Sequence, residues 1–266
     1  MSLPPVAVVL AGERPGGNTL ARAHGVRSAL LMELEGRVLI DWAMGAITQS
    51  GIERTLLVGP GAGLSESPAV RRWREREDVD WVAPARGPAA SAIAAAEHAG
   101  TWPLLLTSAD HALLQSSSVR DFCTKAQAMT GADVVVGMVL ADRVRERFPH
   151  SQRTWLRFHD GECCGSNLFF LRTPRALRVL RFWQSLETMR KHPLRMARQL
   201  GPTVLVRYLA GRLKRDDALS HVGKQCDATI RSVLLDSAEL AVDVDSPADF
   251  TLAEHVLRER AATRDA

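Results

Sequence analysis

Three stretches of the chain carry residue types that could do chemistry. The first is Val8-Val9-Leu10-Ala11-Gly12-Glu13-Arg14-Pro15-Gly16-Gly17, an apolar run that breaks into a glycine-rich turn holding an arginine. Glycines let the backbone approach phosphate closely, successive N–H groups can form an anion-binding concavity, and the arginine fork matches phosphate oxygens. The stretch is not a Walker A loop, because no Gly-Lys-Ser/Thr follows, and it lacks the GxGxxG spacing of dinucleotide sites. The second is Leu104-Leu105-Leu106-Thr107-Ser108-Ala109-Asp110-His111, an apolar run ending in a carboxylate. A carboxylate there suits Mg2+, which takes few protein ligands and leaves its other positions to water and phosphate. His111 reads as a loop histidine rather than a base. The third is Ala241-Val242-Asp243-Val244-Asp245-Ser246-Pro247. On a strand Asp243 and Asp245 share a face, and neighbouring carboxylates repel unless a cation or base lies between them. A tight turn or a helix cap accounts for each fragment singly. Asp110, Asp245 and Asp243 taken together point to a bound cation.

Residues this far apart need a frame to bring them together. Pro5–Ala11 is a short continuous apolar run, suited to a strand buried on both faces of a parallel sheet. The pattern then alternates: a polar, Gly-rich loop over 12–25, helix 38–49, strand 55–58, strand 81–83, helix 88–99, strand 102–107, helix 118–129 and strand 133–140. Strands separated by single helices imply βαβ units with right-handed crossovers. In such a sheet both Gly12 and Asp110 lie at the carboxyl edge, where α/β proteins bind ligands. After Asp142 a hairpin is expected, 154–158 and 167–171 around Asp160-Gly161, then helices over 174–190, 193–200, 203–209 and 216–224. Strands at 229–235 and 241–244 follow. Ser246 as N-cap, Pro247 at N1 and Asp249 at N3 then open a last helix. The expected fold class is α/β, a mostly parallel central sheet flanked by helices. It forms one domain over 1–266, with a basic helical insertion at about 174–226.

Composition narrows the class. The 266 residues are 46% hydrophobic and 24% charged, which excludes a collagen, a wholly disordered chain and a disulfide-stapled miniprotein. No apolar run reaches the roughly 18 residues that span a bilayer. The start lacks a basic leader and reads as a first strand, so a cytoplasmic protein is expected. Cys123, Cys163, Cys164 and Cys226 show no CxxC spacing and read as reduced thiols. Net charge is only +4, but twelve of the basic residues fall between Arg172 and Arg215, opposed by Glu187 alone. That asymmetry points either to an anionic partner, including an anionic membrane face met through 172–215, or to a solvated helical face. The helix at 174–190, with Leu177, Leu180, Phe182, Trp183 and Leu186, is expected to face the core rather than lipid. With 5% aromatics and no basic–aromatic interleaving, nucleic acid is not expected as a partner.

The combination of Leu10-Ala-Gly-x-Arg14, Gly87-Pro88-x-x-Ser91, Thr107-Ser-Ala-Asp110 and Asp243-Val-Asp245-Ser-Pro-x-Asp249 resembles the nucleotidyltransferases of the GT-A-like, Rossmann-like fold over about 1–140 and 229–257. The likeness extends to the MobA-like NTP transferases, which also carry a Gly-x-Asn-Leu-Phe strand, here Gly165–Phe169, and a basic Arg-Lys-x-Pro junction, here Arg190–Pro193. The resemblance implies roles. Leu10, Ala11, Gly12, Glu13, Arg14, Gly16 and Gly17 would hold a triphosphate, and Gly87, Pro88 and Ser91 would line the base and ribose pocket. Asp110 and Asp245, helped by Asp243, would bind Mg2+. Asn167, Arg190 and Lys191 would face a phosphorylated small-molecule acceptor, which attacks the α-phosphorus and expels pyrophosphate. The acceptor-side strand and basic helix resemble those of cytidylyltransferases and point to CTP, with GTP and UTP left open. One motif departs: Ser28 stands where the family's lysine is expected, with Arg27 beside it as the substitute cation for catalysis. That departure keeps open a nucleotide-binding pseudoenzyme or a protein of the inner membrane face. A glycosyltransferase on the same fold ranks lower, because Ser108-Ala109-Asp110 is not the Asp-x-Asp such enzymes place there.

Overall fold

Apolar runs buried on both sides build the centre of the sheet. The computed structural model describes residues 3–12, 19–189 and 201–264. Its strands are β1 (Val6–Leu10), β2 (Glu33–Leu34), β3 (Arg37–Val38), β4 (Arg54–Val58), β5 (Val79–Val82), β6 (Leu104–Ser108), β7 (Val134–Leu140), β8 (Leu156–Phe158), β9 (Gly161–Leu171) and β10 (Ile230–Leu235). The main sheet runs β10-β7-β9-β6-β1-β4-β5, with β8 paired to β9, and β2 and β3 form a separate hairpin. β1 is parallel to β4 and β6, β4 to β5, and β10 to β7. β9 runs antiparallel between β6 and β7. The sheet is mixed and mostly parallel, as the alternating pattern implies.

Period-two alternation along β1 divides the core. Ala7 and Val9 join Leu57 and Leu105 on one face, under the helices Leu39–Thr48, Ser116–Ala128 and Pro247–Arg264. Val6 and Val8 join Leu56, Leu104 and Leu106 on the other, under the helices Pro88–Ala99 and Ala176–Met189. Alanines 92, 95, 96 and 99 let the first of these lie close to the sheet. Leu180 is buried in the second, and Trp183 stacks on Phe169 with ring centroids 6.2 Å apart. The helix thus faces the core, as its apolar spacing predicts.

The expected helix at 88–99 matches the observed Pro88–Ala99, and most other elements differ by one to three residues at their ends. The 12–25 stretch carries a short helix, Thr19–Ala23, where only loop is expected. The turn at Asp160-Gly161 does join an antiparallel pair, β8 and β9. The strand expected at 241–244 is absent: a 3-10 turn over Ala238–Ala241 leads into extended chain with no ladder partner among the described residues. The predicted helix at 193–200 lies outside the described residues. The four cysteines are free, buried thiols. Among the described residues no helix is long and apolar enough to cross a membrane.

The basic segment is partly neutralised by acids, three of the four distant in sequence. Arg178 pairs with Asp227, Arg181 with Glu97, Arg207 with Asp217 and Arg215 with Asp160. Arg172 turns inward and donates to the carbonyls of Ala126, Gln127, Met129 and Ala132, tying β9 to the end of the Ser116–Ala128 helix. Four of the twelve basic residues of the segment are therefore paired with acids among the described residues.

Candidate functional site

The carboxyl edge of the parallel strands brings the Gly12 turn, Asp110 and the 243–245 segment together. Leu10 pairs with Ser108 in register, and the Ala109 N–H donates to the Leu10 carbonyl at 2.9 Å, so Asp110 begins where the Gly12 turn begins. On the other side the Ala11 N–H donates to the Val58 carbonyl at 2.9 Å. Gly59 then passes so near that a Cβ on it would sit 3.1 Å from the Ala11 oxygen, with φ at +88°. Only glycine meets both demands. Glu13, Arg14, Gly16 and Gly17 lie outside the described residues.

The third stretch closes on the same edge. The Val244 N–H donates to the Asp110 carbonyl at 3.0 Å, which brings 243–245 beside Asp110 although no strand forms there. The extended backbone keeps its alternation: Val242 and Val244 are buried, Asp243 is half-buried and Asp245 is exposed. Shared orientation of the two aspartates thus survives without a sheet ladder. Ser246 and Asp249 bond reciprocally, the Asp249 N–H to Ser246 Oγ at 3.2 Å and the Ser246 N–H to Asp249 Oδ2 at 3.1 Å, which caps the last helix as its sequence foretells.

Electrostatics single out Asp110. Its Oδ1 is buried and has no hydrogen-bond partner among the described residues. Burial, then the negative charges of Asp243 and Asp245, push its carboxyl up to about 7, against an opposing effect of the Ser108 hydroxyl. His111 beside it is buried, and desolvation holds its imidazole below the usual range. His111 Nε2 lies 3.1 Å from the Ser166 carbonyl, so the ring braces the Asp110 loop against β9. Thr107 Oγ1 and Ser166 Oγ are likewise buried without hydrogen-bond partners among the described residues. Orphaned buried polar atoms are uncommon in finished structure.

β9 delivers Asn167 to this cluster through a bulge. Pairing with β7 shifts register between Val136 and Met138, and Asn167 takes a left-handed φ of 52°, a conformation that asparagine tolerates. A Cβ on Gly137 would meet Ser166 Oγ at 2.3 Å, so this glycine makes room for the bulge. Asn167 Nδ2 donates to Asp243 Oδ2 at 3.4 Å. Asp243 Oδ1 faces Arg153 Nη1 at 3.4 Å, and Arg153 also meets Asp249 at 2.7 Å. No sequence motif marks Arg153. It sits in the coil before β8, and only the folded chain brings it to the aspartates.

Gly87 and Pro88 stand at the start of the Pro88–Ala99 helix, with Gly87 at φ +100°. The Ser91 hydroxyl accepts from the Ala85 N–H at 3.0 Å, so this serine shapes the 85–87 loop from inside. The Ala89 N–H donates to Glu187 at 3.4 Å. Ser28 is buried, and its Oγ accepts from the Leu30 N–H at 3.1 Å, capping the short turn Ala29–Leu31. Arg27 is exposed and has no side-chain partner among the described residues. Arg190 and Lys191 lie outside the described residues.

A mixed, mostly parallel sheet with a glycine turn and carboxylates at its carboxyl edge is the architecture of the nucleotidyltransferase fold, and comparison with solved structures places the chain there. A hypothetical transferase structure from Thermus thermophilus superposes with TM-score 0.76 at 28% identity, covering 92% of this chain and 99% of that one. CMP:2-keto-3-deoxy-manno-octonic acid synthetase complexed with CTP superposes with TM-score 0.61 at 10% identity, covering 96% and 98%. The 4-diphosphocytidyl-2C-methyl-D-erythritol synthase of Anaerococcus prevotii gives 0.55 at 11%, covering 95% and 98%. At such identities the last two establish the fold alone. The model of the MobA-like NTP transferase domain matches residues 7–226, and the chain belongs to that family. No curated protein matches it.

Proposed function

We propose that the protein transfers a nucleoside monophosphate from an NTP, with CTP the favoured donor, to a small phosphorylated acceptor and releases pyrophosphate. The observation that carries this reading is Asp110: a buried carboxylate with an orphaned oxygen, beside two further aspartates and the first turn of a glycine loop. Membership of an NTP transferase family supports the same chemistry.

The donor set fits Mg2+. Among the described residues no three His, Cys, Asp or Glu side chains group closely enough to cage a metal by themselves. Mg2+ asks for less: one or two carboxylates, with water and substrate phosphate completing its shell. Asp110 and Asp245 would hold it, with Asp243 in support, and it would supply charge neutralisation on the triphosphate. The Gly12 turn and Arg14 would cradle the phosphates. Gly87 and Pro88 would border the base and ribose, with Ser91 fixing their loop. Asn167, Arg190 and Lys191 would face the acceptor. An oxygen of the acceptor phosphate attacks the α-phosphorus in line while the bond to the bridging oxygen breaks. A phosphate nucleophile is already anionic, so the chain need only position it and balance charge. No protein base is required.

A second reading rests on Ser28. Its hydroxyl is spent on a cap, and exposed Arg27 contacts none of the aspartates. A chain without the motif lysine that binds NTP but turns it over poorly is the pseudoenzyme alternative. Thermal shift with CTP, GTP, UTP and ATP, each with and without Mg2+, on wild type and Asp110→Ala separates these cases. Ligand that binds only the folded state raises apparent stability by mass action. One nucleotide giving an Mg2+-dependent shift that Asp110→Ala removes, followed by pyrophosphate release with an acceptor phosphate, supports the transferase. A shift without turnover supports the second reading, and no shift with any nucleotide refutes both.

A further inference from the structure

Arg153 presents a buried cation beside a site expected to bind another. Its side chain is 8% exposed, and it reaches two carboxylates at once, Asp249 through Nη2 at 2.7 Å and Asp243 through Nη1 at 3.4 Å. Its Nε–H is buried with no partner among the described residues. A guanidinium taken out of water is costly unless its charge is matched and its N–H groups are hydrogen-bonded. Asp249 matches the charge while capping the last helix with its other oxygen, but Arg153 Nη2 is buried without a hydrogen-bond partner among the described residues. Among the described residues, the one hydrogen bond that the Arg153 side chain makes goes from Nη1 to Asp243. Its effect falls on Asp243, whose two oxygens accept from Arg153 Nη1 and Asn167 Nδ2, each at 3.4 Å. Asp110, in contrast, keeps an oxygen without a partner among the described residues.

We infer that Arg153 is a positioning residue that withdraws Asp243 from direct cation binding and lowers the negative charge of the aspartate cluster. The inference rests on the cation reading of the preceding section. The direct ligands are then Asp110 and Asp245, and Asp243 acts on the ion only through space. Arg153 holds the 243–249 segment in place from the far side, at the expense of some cation affinity. That sign is the opposite of what a merely structural role gives.

Mn2+ titrated without nucleotide and followed by the electron paramagnetic resonance of the free ion reads the affinity directly. Arg153→Gln removes a positive charge near the ion and tightens Mn2+ on the order of tenfold, whereas Arg153→Lys stays near wild type. Asp243→Asn weakens Mn2+ by no more than roughly tenfold, the effect of one charge through space, and the double variant returns close to wild type. Asp110→Asn removes a ligand and abolishes binding. Weaker or unchanged Mn2+ affinity in Arg153→Gln overturns the inference, and so does an Asp243→Asn variant as damaged as Asp110→Asn. The second arm stands even if Arg153→Gln does not fold. If Asp110→Asn binds Mn2+ like wild type, or wild type binds none, the cation reading itself fails and the inference falls with it.

Discussion

The Asp110 carboxyl, pushed up to about 7, ties the stability of the protein to both pH and cation. Below about pH 4 the carboxyl is protonated in folded and unfolded chains alike and contributes no difference. Between about 4 and 7 the unfolded chain loses the proton while the folded chain keeps it, so stability falls as pH rises, by up to ~1.4 kcal/mol per pH unit. Above about 7 the loss levels off. The full cost at neutral pH is on the order of 2–4 kcal/mol, a sizeable part of a domain's typical net stability. A cation that binds ionised Asp110 reverses this, because below pH 7 it must first displace the proton, and its apparent affinity climbs towards tenfold per pH unit before levelling. Urea unfolding of wild type and Asp110→Asn at pH 5, 6, 7 and 8, with and without Mg2+, gives the test. Without Mg2+, the asparagine variant gains on wild type as pH rises and is about 2–4 kcal/mol more stable at pH 8. Saturating Mg2+ closes the gap by stabilising wild type alone. Parallel pH profiles for the two proteins, or equal stabilisation of both by Mg2+, refute the reasoning.

Two further outcomes follow from backbone and cap geometry. Gly59→Ala forces a left-handed φ on alanine and drives its Cβ against the Ala11 carbonyl; it costs about 1–3 kcal/mol in urea unfolding and weakens the nucleotide-dependent thermal shift by displacing the Gly12 turn. Ser28→Ala removes the cap on Leu30; it costs about 1 kcal/mol in the same assay and leaves the nucleotide shift unchanged, because the hydroxyl faces the turn and not the aspartates.

The order of the main-sheet strands through residue 140 is legible in the residues themselves, whereas the short helices Thr19–Ala23, Ala62–Ser65 and Pro68–Arg74 and the β2–β3 hairpin are not. A strand buried on both faces reads as an unbroken apolar run, and Gly59, Gly87-Pro88 and Gly100 punctuate the runs. The placement of Gly12 and Asp110 on one edge follows from that order, because parallel strands end on the same side. The alternation that turns Asp243 and Asp245 away from buried Val242 and Val244 is legible too. It does not reveal whether the segment has a ladder partner, since an extended chain keeps period two with or without one. The position of β9 is not legible either. Its antiparallel insertion between β6 and β7 depends on which edges meet, and the bulge that aims Asn167 depends on the room left by Gly137 across the ladder.

Charge shows the same division. Composition locates the basic excess over 172–215, but the partners of Arg178, Arg181 and Arg215, Asp227, Glu97 and Asp160, lie 49 to 84 residues away. Arg153 and Asp243 are separated by 90 residues, and nothing in the spacing of either announces the other. By itself the sequence determined that a glycine turn follows β1 and a carboxylate follows β6, because residue type and strand end are local properties. Tertiary structure alone decided that Asp110 is desolvated, that Ser28 is a cap and that Asp243 is engaged by Arg153. Burial, field and ion pairing depend on what packs alongside, and those neighbours come from anywhere in the chain.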